Sequence, residues 1–375
     1  MLNIFSDRRF LPDGVKHALP LIPFWGEYHD HDGYTRFASW ARDNWRLTSL
    51  EDARIAALPF DGREIIGPTP QASKIELAQR FVDLAGGAGL RTLIVVNHDS
   101  IAPLPICGPM VVLRVSLDRR ARASWEFALP AWHENIVDTH LGGRLPFREY
   151  RSRPVVSFCG VAARTDPPLK RRIKLSAMRA LERLGYHWPH NDGIYLRQLA
   201  MSYLNASRRV ETSFIVRGAY FGGVELDPTV KVRVRAEYIQ NILDSDYVLC
   251  VRGWGNFSFR FFEAMSLGRT PVLVDTDCVL PFDFVHDYKK FCVIVPENEV
   301  HHVDQRVSEF HARFDSRSYR LHQERVRSFW VEWLSAEGFF RHLAEHWKAL
   351  SLEPLEATGE VANLDHVELK SGDCP

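Results

Sequence analysis

The 375-residue chain has no net charge, because 47 Lys and Arg balance 47 Asp and Glu. A neutral chain projects no long-range field, which argues against nucleic acid or an anionic membrane surface as its partner and for small-molecule chemistry. Lysine is scarce: only nine of the 47 basic residues are Lys and 38 are Arg. Arg suits bidentate phosphate recognition, although genomic base composition is the simpler explanation. Six cysteines, Cys107, Cys159, Cys250, Cys278, Cys292 and Cys374, include no C-x-x-C pair, and several lie in apolar runs. They read as reduced interior residues. No window approaches a membrane span, and MLNIFSDRRF lacks a basic stretch followed by a long apolar core. The expectation is a cytoplasmic protein. Repeats and low-complexity tracts are absent too, and 46% apolar with 25% charged residues is ordinary for a folded chain.

What is present is an alternation of strands and helices. Asn3 to Phe5, Arg54 to Leu58, Leu93 to Val96 and Met110 to Val115 read as strands, Ser73 to Ala85 as an amphipathic helix, and Arg119 to Glu126 as a further helix. PFREYRSRP, residues 146–154, is the best linker. After it come a strand at Val155, helices over Lys170 to Leu184 and Ile194 to Ser202, a strand over Ser213 to Arg217 and a helix over Val230 to Leu243. Such alternation in both halves predicts two parallel-sheet α/β domains. The expected division is 1–150, 151–323, a helix over 324–350 and a loose acidic tail over 351–375. Aromatics near the start, Phe24, Trp25, Tyr28, Tyr34, Phe37 and Trp40, suit sugar stacking, but such spacings more often make a core.

The densest signal is SDYVLCVRGWGNFSFRFFEAMSLGRTPVLVDTDCVLPF, Ser245 to Phe282. Tyr247 to Val251 is a buried strand entering a turn with Gly253 and Gly255, and Ser258 is placed to cap a helix that Gly268 ends. Pro271 to Val274 is the next strand. A βαβ unit of this kind puts a helix N-terminus at the carboxyl edge of a parallel sheet, where free N–H groups favour a pyrophosphate. Arg252 and Arg260 belong beside it. Glu263, one turn into the helix, is placed to accept from a ribose diol.

These residues resemble the nucleotide-binding region of the exostosin glycosyltransferases, whose pattern runs S-x-Y-x-L-C-x-R-G, S-x-R-x-x-E/D-A, G-x-x-P-V and L-P-F. The matches are Ser245, Tyr247, Leu249, Cys250, Arg252, Gly253, Ser258, Arg260, Glu263, Ala264, Gly268, Pro271, Val272, Leu280, Pro281 and Phe282. Val251 replaces the usual proline, which alters turn stiffness rather than a ligand contact. VVSFCGVAAR, ending in Arg164, is similar to the family's F-x-G-x-x-R element, and LIVVNHDS, Leu93 to Ser100, to its strand with His-Asp. The resemblance implies a GT-B fold, in which two Rossmann-like domains face across a cleft and the last helix crosses back. It also implies an inverting transferase that moves a sugar from a nucleotide donor, UDP-linked, to a glycan or glycolipid hydroxyl, with no metal or other cofactor. The family's animal and plant members are anchored in the secretory pathway. Here a bacterial-type relative in cell-surface polysaccharide synthesis is expected, cytoplasmic and held at the inner membrane only through its acceptor.

Each assignment has a plainer alternative. Arg164, Arg252, Gly253, Ser258, Arg260 and Glu263 form the expected donor set, whereas isolated strand-end arginines usually pair with surface carboxylates. Asp99, or His98 oriented by it, is the expected base; an Asx-type turn is the alternative. His29, Asp30, His31 and Asp32 have metal-like residue types but lack fixed spacing, so a solvated loop is preferred. Asp275-Thr276-Asp277 matches the D-x-D of metal-dependent GT-A transferases. The same pattern recurs at Asp30 to Asp32 and Asp244 to Asp246, so it reads as a strand-end loop. A non-catalytic scaffold for a partner transferase is the alternative from another functional class.

Overall fold

The computed structural model describes residues 1–26, 32–66, 71–162, 193–218 and 227–352. The chain forms two compact units, Met1–Leu129 with Phe339–Pro375, and Pro130–Gly338. Both are α/β with wholly parallel sheets.

The first unit holds β1 (Leu2–Phe5), β2 (Trp45–Leu47), β3 (Ile55–Ala57), β4 (Thr92–Val96), β5 (Met110–Arg114) and β6 (Glu126–Ala128) in the order β2-β1-β3-β4-β5-β6. β4 and β5 are buried at every position, as a parallel sheet covered on both faces demands. Helix α1 spans Asp32–Asn44 and α2 spans Ala72–Gly87; α2 turns Ala78, Phe81, Val82 and Ala85 onto Ile94, Val96 and Val112. The helix expected over Arg119 to Glu126 does not form. Glu126 enters β6 instead, because the buried Arg114 needs its carboxylate at 2.6 Å, and the other Glu126 oxygen accepts the Ala123 N–H across the turn. Pairing a buried charge outweighs local helix propensity here.

The second unit holds β7 (Val155–Val161), β8 (Glu211–Arg217), β9 (Tyr247–Cys250), β10 (Thr270–Asp275) and β11 (Val293–Pro296) in the order β11-β10-β9-β7-β8. The strand order reverses between β7 and β9, and in open parallel sheets ligands bind at the carboxyl ends of strands at such a switch point. Around the sheet lie α3 (Ile136–Leu141), α4 (Gly193–Ala206), α5 (Pro228–Leu243), α6 (Phe259–Ser266), α7 (Val303–His311) and α8 (Ser316–Phe329). The stretch 146–154 is tied into this unit rather than free. Arg148 donates its N–H to Gln323 at 2.9 Å and its Nε to Asp246 at 3.1 Å, while Ile136 and Val137 upstream share a core with Phe261 and Met265.

Residues 324–350 are not one helix. α8 ends at Phe329, a wide turn covers Trp330–Leu334, Ser335 is extended at ψ 156°, and α9 runs Ala336–Leu352. A Cβ at Gly338 would lie 2.2 Å from the Glu332 carbonyl, so only glycine permits this close restart. α9 packs within the first unit, with Phe340 against Phe37 at 4.6 Å and Trp45 at 5.5 Å. Cys159, Cys250, Cys278 and Cys292 are free and buried, whereas Cys107 is disulfide-bonded and departs from the reduced set. Among the described residues no helix is long and apolar enough to cross a membrane.

Candidate functional site

The switch point of the second sheet gathers three arginines. Arg260, in the first turn of α6, lays its guanidinium over the Phe158 ring at 4.3 Å and donates to the Cys159 carbonyl at 2.9 Å. It passes across Gly160, where a Cβ would stand 2.6 Å from Nη2, so the glycine of the F-x-G element is the slot that admits the side chain. Arg197 reaches up from α4 and donates to the carbonyls of Val161 and Arg252, both at 2.8 Å, stapling the ends of β7 and β9 together. Burial first, then the charge of Arg260, lowers its pKa to about 10. Arg252 donates to the Trp254 carbonyl at 3.3 Å.

No carboxylate among the described residues pairs with any of the three. The Nε of each is buried without an acceptor. Cations with buried, idle donors are costly unless an anion joins them, and Arg197 and Arg260 also feel each other's charge.

The loop between β9 and α6 is held rather than loose. The Gly253 N–H donates to the Phe257 carbonyl at 3.2 Å, and Asn256 exchanges hydrogen bonds with Thr276, its Nδ2 donating to the carbonyl at 3.0 Å and its Oδ1 accepting from Oγ1 at 2.6 Å. Ser258 occupies the N-cap position as the sequence suggests, but its hydroxyl makes no capping bond.

Glu263 is buried at 7% exposure and faces inward. Its Oε1 accepts from Arg235 Nη1 at 2.7 Å and its Oε2 from the Tyr238 hydroxyl. Arg235 also clamps Glu134, at 2.9 Å through Nε and 2.6 Å through Nη2. Burial alone would raise the Glu263 pKa, but Arg235 and then His133 hold it below the usual carboxylate value. A ribose diol would therefore share a carboxylate already committed to an ion pair.

The remaining predicted residues are scattered. Arg164, His29, Asp30 and His31 lie outside the described residues. His98 and Asp99 are exposed beyond the end of β4, and His98 Nδ1 accepts the Ser100 N–H at 3.0 Å. That bond fixes the proton of a neutral ring on Nε2, and Asp99 does not orient it. Asp275 Oδ1 accepts the Cys278 N–H at 3.1 Å and Asp277 has φ +67°, so this D-x-D closes a strand-end turn. At Asp244 to Asp246 the pattern is structural, because buried Asp246 accepts from Val155 N–H at 2.8 Å, Arg148 and the Tyr319 hydroxyl.

Sequence reasoning missed Arg197, Arg235, Glu134 and Tyr238, all on helices or loops outside the dense segment. It also missed Asp61, which follows β3 and accepts from the N–H groups of Arg63 at 2.9 Å and Asn97 at 3.2 Å. Burial raises the Asp61 pKa.

The model of the exostosin GT47 domain matches residues 208–310, which run from just before β8 into the last turn of α7 and include the loop bearing Arg252. Residues 208–310 of the second unit are therefore similar to the exostosin GT47 domain. Two proteins of Oryza sativa subsp. japonica, each named a probable glucuronosyltransferase, are similar to parts of the chain. One is 33% identical over 67 residues, 18% of this chain and 16% of its own; another is 26% identical over 145 residues, 37% and 33%. The matched segments thus span a third or less of those relatives. Among solved structures, TarM of S. aureus, in a complex with UDP, covers 70% of this chain and 51% of its own at 14% identity, with a TM-score of 0.33. A glycosyltransferase of Rickettsia africae covers 87% and 83% at 9% identity and the same TM-score. The exostosin-like unit is defined by its own strand order and arginines, which those low scores neither add to nor alter.

Proposed function

We propose that the chain is an inverting glycosyltransferase of GT-B type that takes a UDP-linked sugar and places it on a hydroxyl of a glycan or glycolipid. The observation that carries this reading is the trio Arg197, Arg252 and Arg260, without a described carboxylate, at the switch point of an exostosin-family domain. A diphosphate supplies the missing anion. The uncapped start of α6 adds backbone N–H groups toward it, and Gly253 and Arg164 belong to the same set by their motifs. Glu263 contacts the ribose while remaining paired with Arg235.

In the reaction the acceptor oxygen bonds to the anomeric carbon as the bond from that carbon to the phosphate oxygen breaks. The electron pair leaves with the nucleoside diphosphate, whose gathering charge the arginines stabilise, and the acceptor proton passes to Asp99. No metal is required in this scheme. The protein acts in the cytoplasm on a surface polysaccharide under assembly.

The test is incubation of the purified chain with UDP-sugars and candidate acceptors, following nucleotide release and the anomeric configuration of the product by NMR. Inverted product that persists in EDTA supports the proposal; retention, or strict dependence on Mn²⁺, contradicts it and favours a GT-A-like role for Asp275 and Asp277. A second reading, a non-catalytic scaffold, draws on the engaged Nδ1 of His98 and the absence of a described partner for Asp99. It predicts donor binding without turnover at any acceptor.

A further inference from the structure

The carboxyl-terminal helix of the first unit carries a cluster with a different chemistry. His342, Glu345 and His346 stand at i, i+3 and i+4 on α9, so their side chains share one face. One donor atom from each lies within 4.8 Å of the others. His346 Nδ1 sits 3.0 Å from the His342 carbonyl, which can only accept, so Nδ1 bears the proton and Nε2 is the basic nitrogen of the neutral ring. A backbone carbonyl holding the outer N–H of an imidazole is the support that metal-binding histidines use. His342 Nδ1 and Glu345 Oε2 are 2.7 Å apart, a compact nitrogen and oxygen pair around one proton that a cation can replace.

We propose that His342, Glu345 and His346 bind one divalent transition-metal ion of the zinc class. Two imidazoles and a carboxylate form a donor set suited to Zn²⁺, Cu²⁺ or Ni²⁺ rather than to Mg²⁺ or Ca²⁺. The gap to tetrahedral ligand spacing, roughly 3.3 Å for bonds near 2 Å, is closed by side-chain torsions alone. The backbone does not need to move: Phe339, Phe340, Leu343 and Trp347 are buried and hold the helix on its unit. His342 is buried, His346 half-buried and Glu345 exposed, so the ion would keep a solvent-facing position for water. The site is a binding site in the first unit, independent of donor chemistry in the second.

The test uses the full untagged chain, stripped with EDTA and desalted, titrated with Zn²⁺ by calorimetry and with Co²⁺ by visible absorption, alongside His346→Ala and Glu345→Gln. The expected result is one ion per chain, a tetrahedral Co²⁺ spectrum, and affinity reduced about 10- to 100-fold in each variant. Both variants change side chains that are not fully buried, and unchanged melting curves without metal confirm that they fold. No binding up to about 1 mM Zn²⁺, or equal binding by wild type and His346→Ala, overturns the proposal.

Discussion

Gly160 and Arg260 behave as one unit, because the guanidinium occupies the space a Cβ would take. Gly160→Ala should push Arg260 off Phe158 and weaken binding of UDP about tenfold, the loss of roughly one charge-assisted contact. Calorimetric titration of the variant checks this. Glu263 makes a different prediction. Its pKa is depressed in the fold, so its contribution to stability is present above the unfolded carboxylate pKa and is lost as pH falls through the folded value. Glu263→Gln should therefore cost roughly 2 to 4 kcal/mol at pH 7, and the gap to wild type should close on acidification, as read by urea unfolding at several pH values. Arg252, Arg260 and Glu263 were readable as a candidate donor set because they fall in one contiguous motif. Arg197 and Arg235 were not, since a helical arginine seen in sequence alone looks like any solvated one. Only the topology brings Arg197 to the ends of β7 and β9.

The parallel strands were legible as continuous apolar runs, and every described strand expected from them forms, while the two failures have physical causes. Arg119 to Glu126 turns into a strand approach because Arg114 is buried and must be neutralised. Residues 324–350 have helical periodicity throughout, but Ser335 and Gly338 mark a restart that depends on contact with the Glu332 carbonyl. Gly338→Ala should destabilise the chain by more than about 2 kcal/mol, since backbone rather than a side chain must yield, and thermal melting measures it. On α8, burial lowers the His322 pKa from 6.5 to about 4 while Nε2 lies 2.9 Å from Thr270 Oγ1. Its contribution is complete above about pH 6.5 and is lost as pH falls through 4. His133 and His311, also lowered chiefly by burial, act in the same direction. Unfolding free energy should fall over that window, and His322→Gln should flatten the decline by about 2 to 3 kcal/mol.

For the whole molecule, alternating strands and helices identified two parallel α/β units, which the sheet orders display. The compact units divide at Leu129 and Pro130 instead of within the Pro- and Arg-rich stretch, because α3 and Arg148 are bound to the second core. Polarity along the chain signals exposure in loops, but it does not reveal which unit's core a short helix completes. In the second unit Arg197, Arg252 and Arg260 have no described carboxylate partner, and their proposed role is to hold a nucleoside diphosphate. Titration of the chain with UDP by calorimetry in the presence of EDTA, beside Arg197→Lys, tests it most directly. The account predicts one metal-independent site, weakened about tenfold or more in the variant because lysine cannot make both of the fork's bonds. The absence of binding by UDP and other nucleoside diphosphates, or equal affinity in wild type and Arg197→Lys, would contradict it.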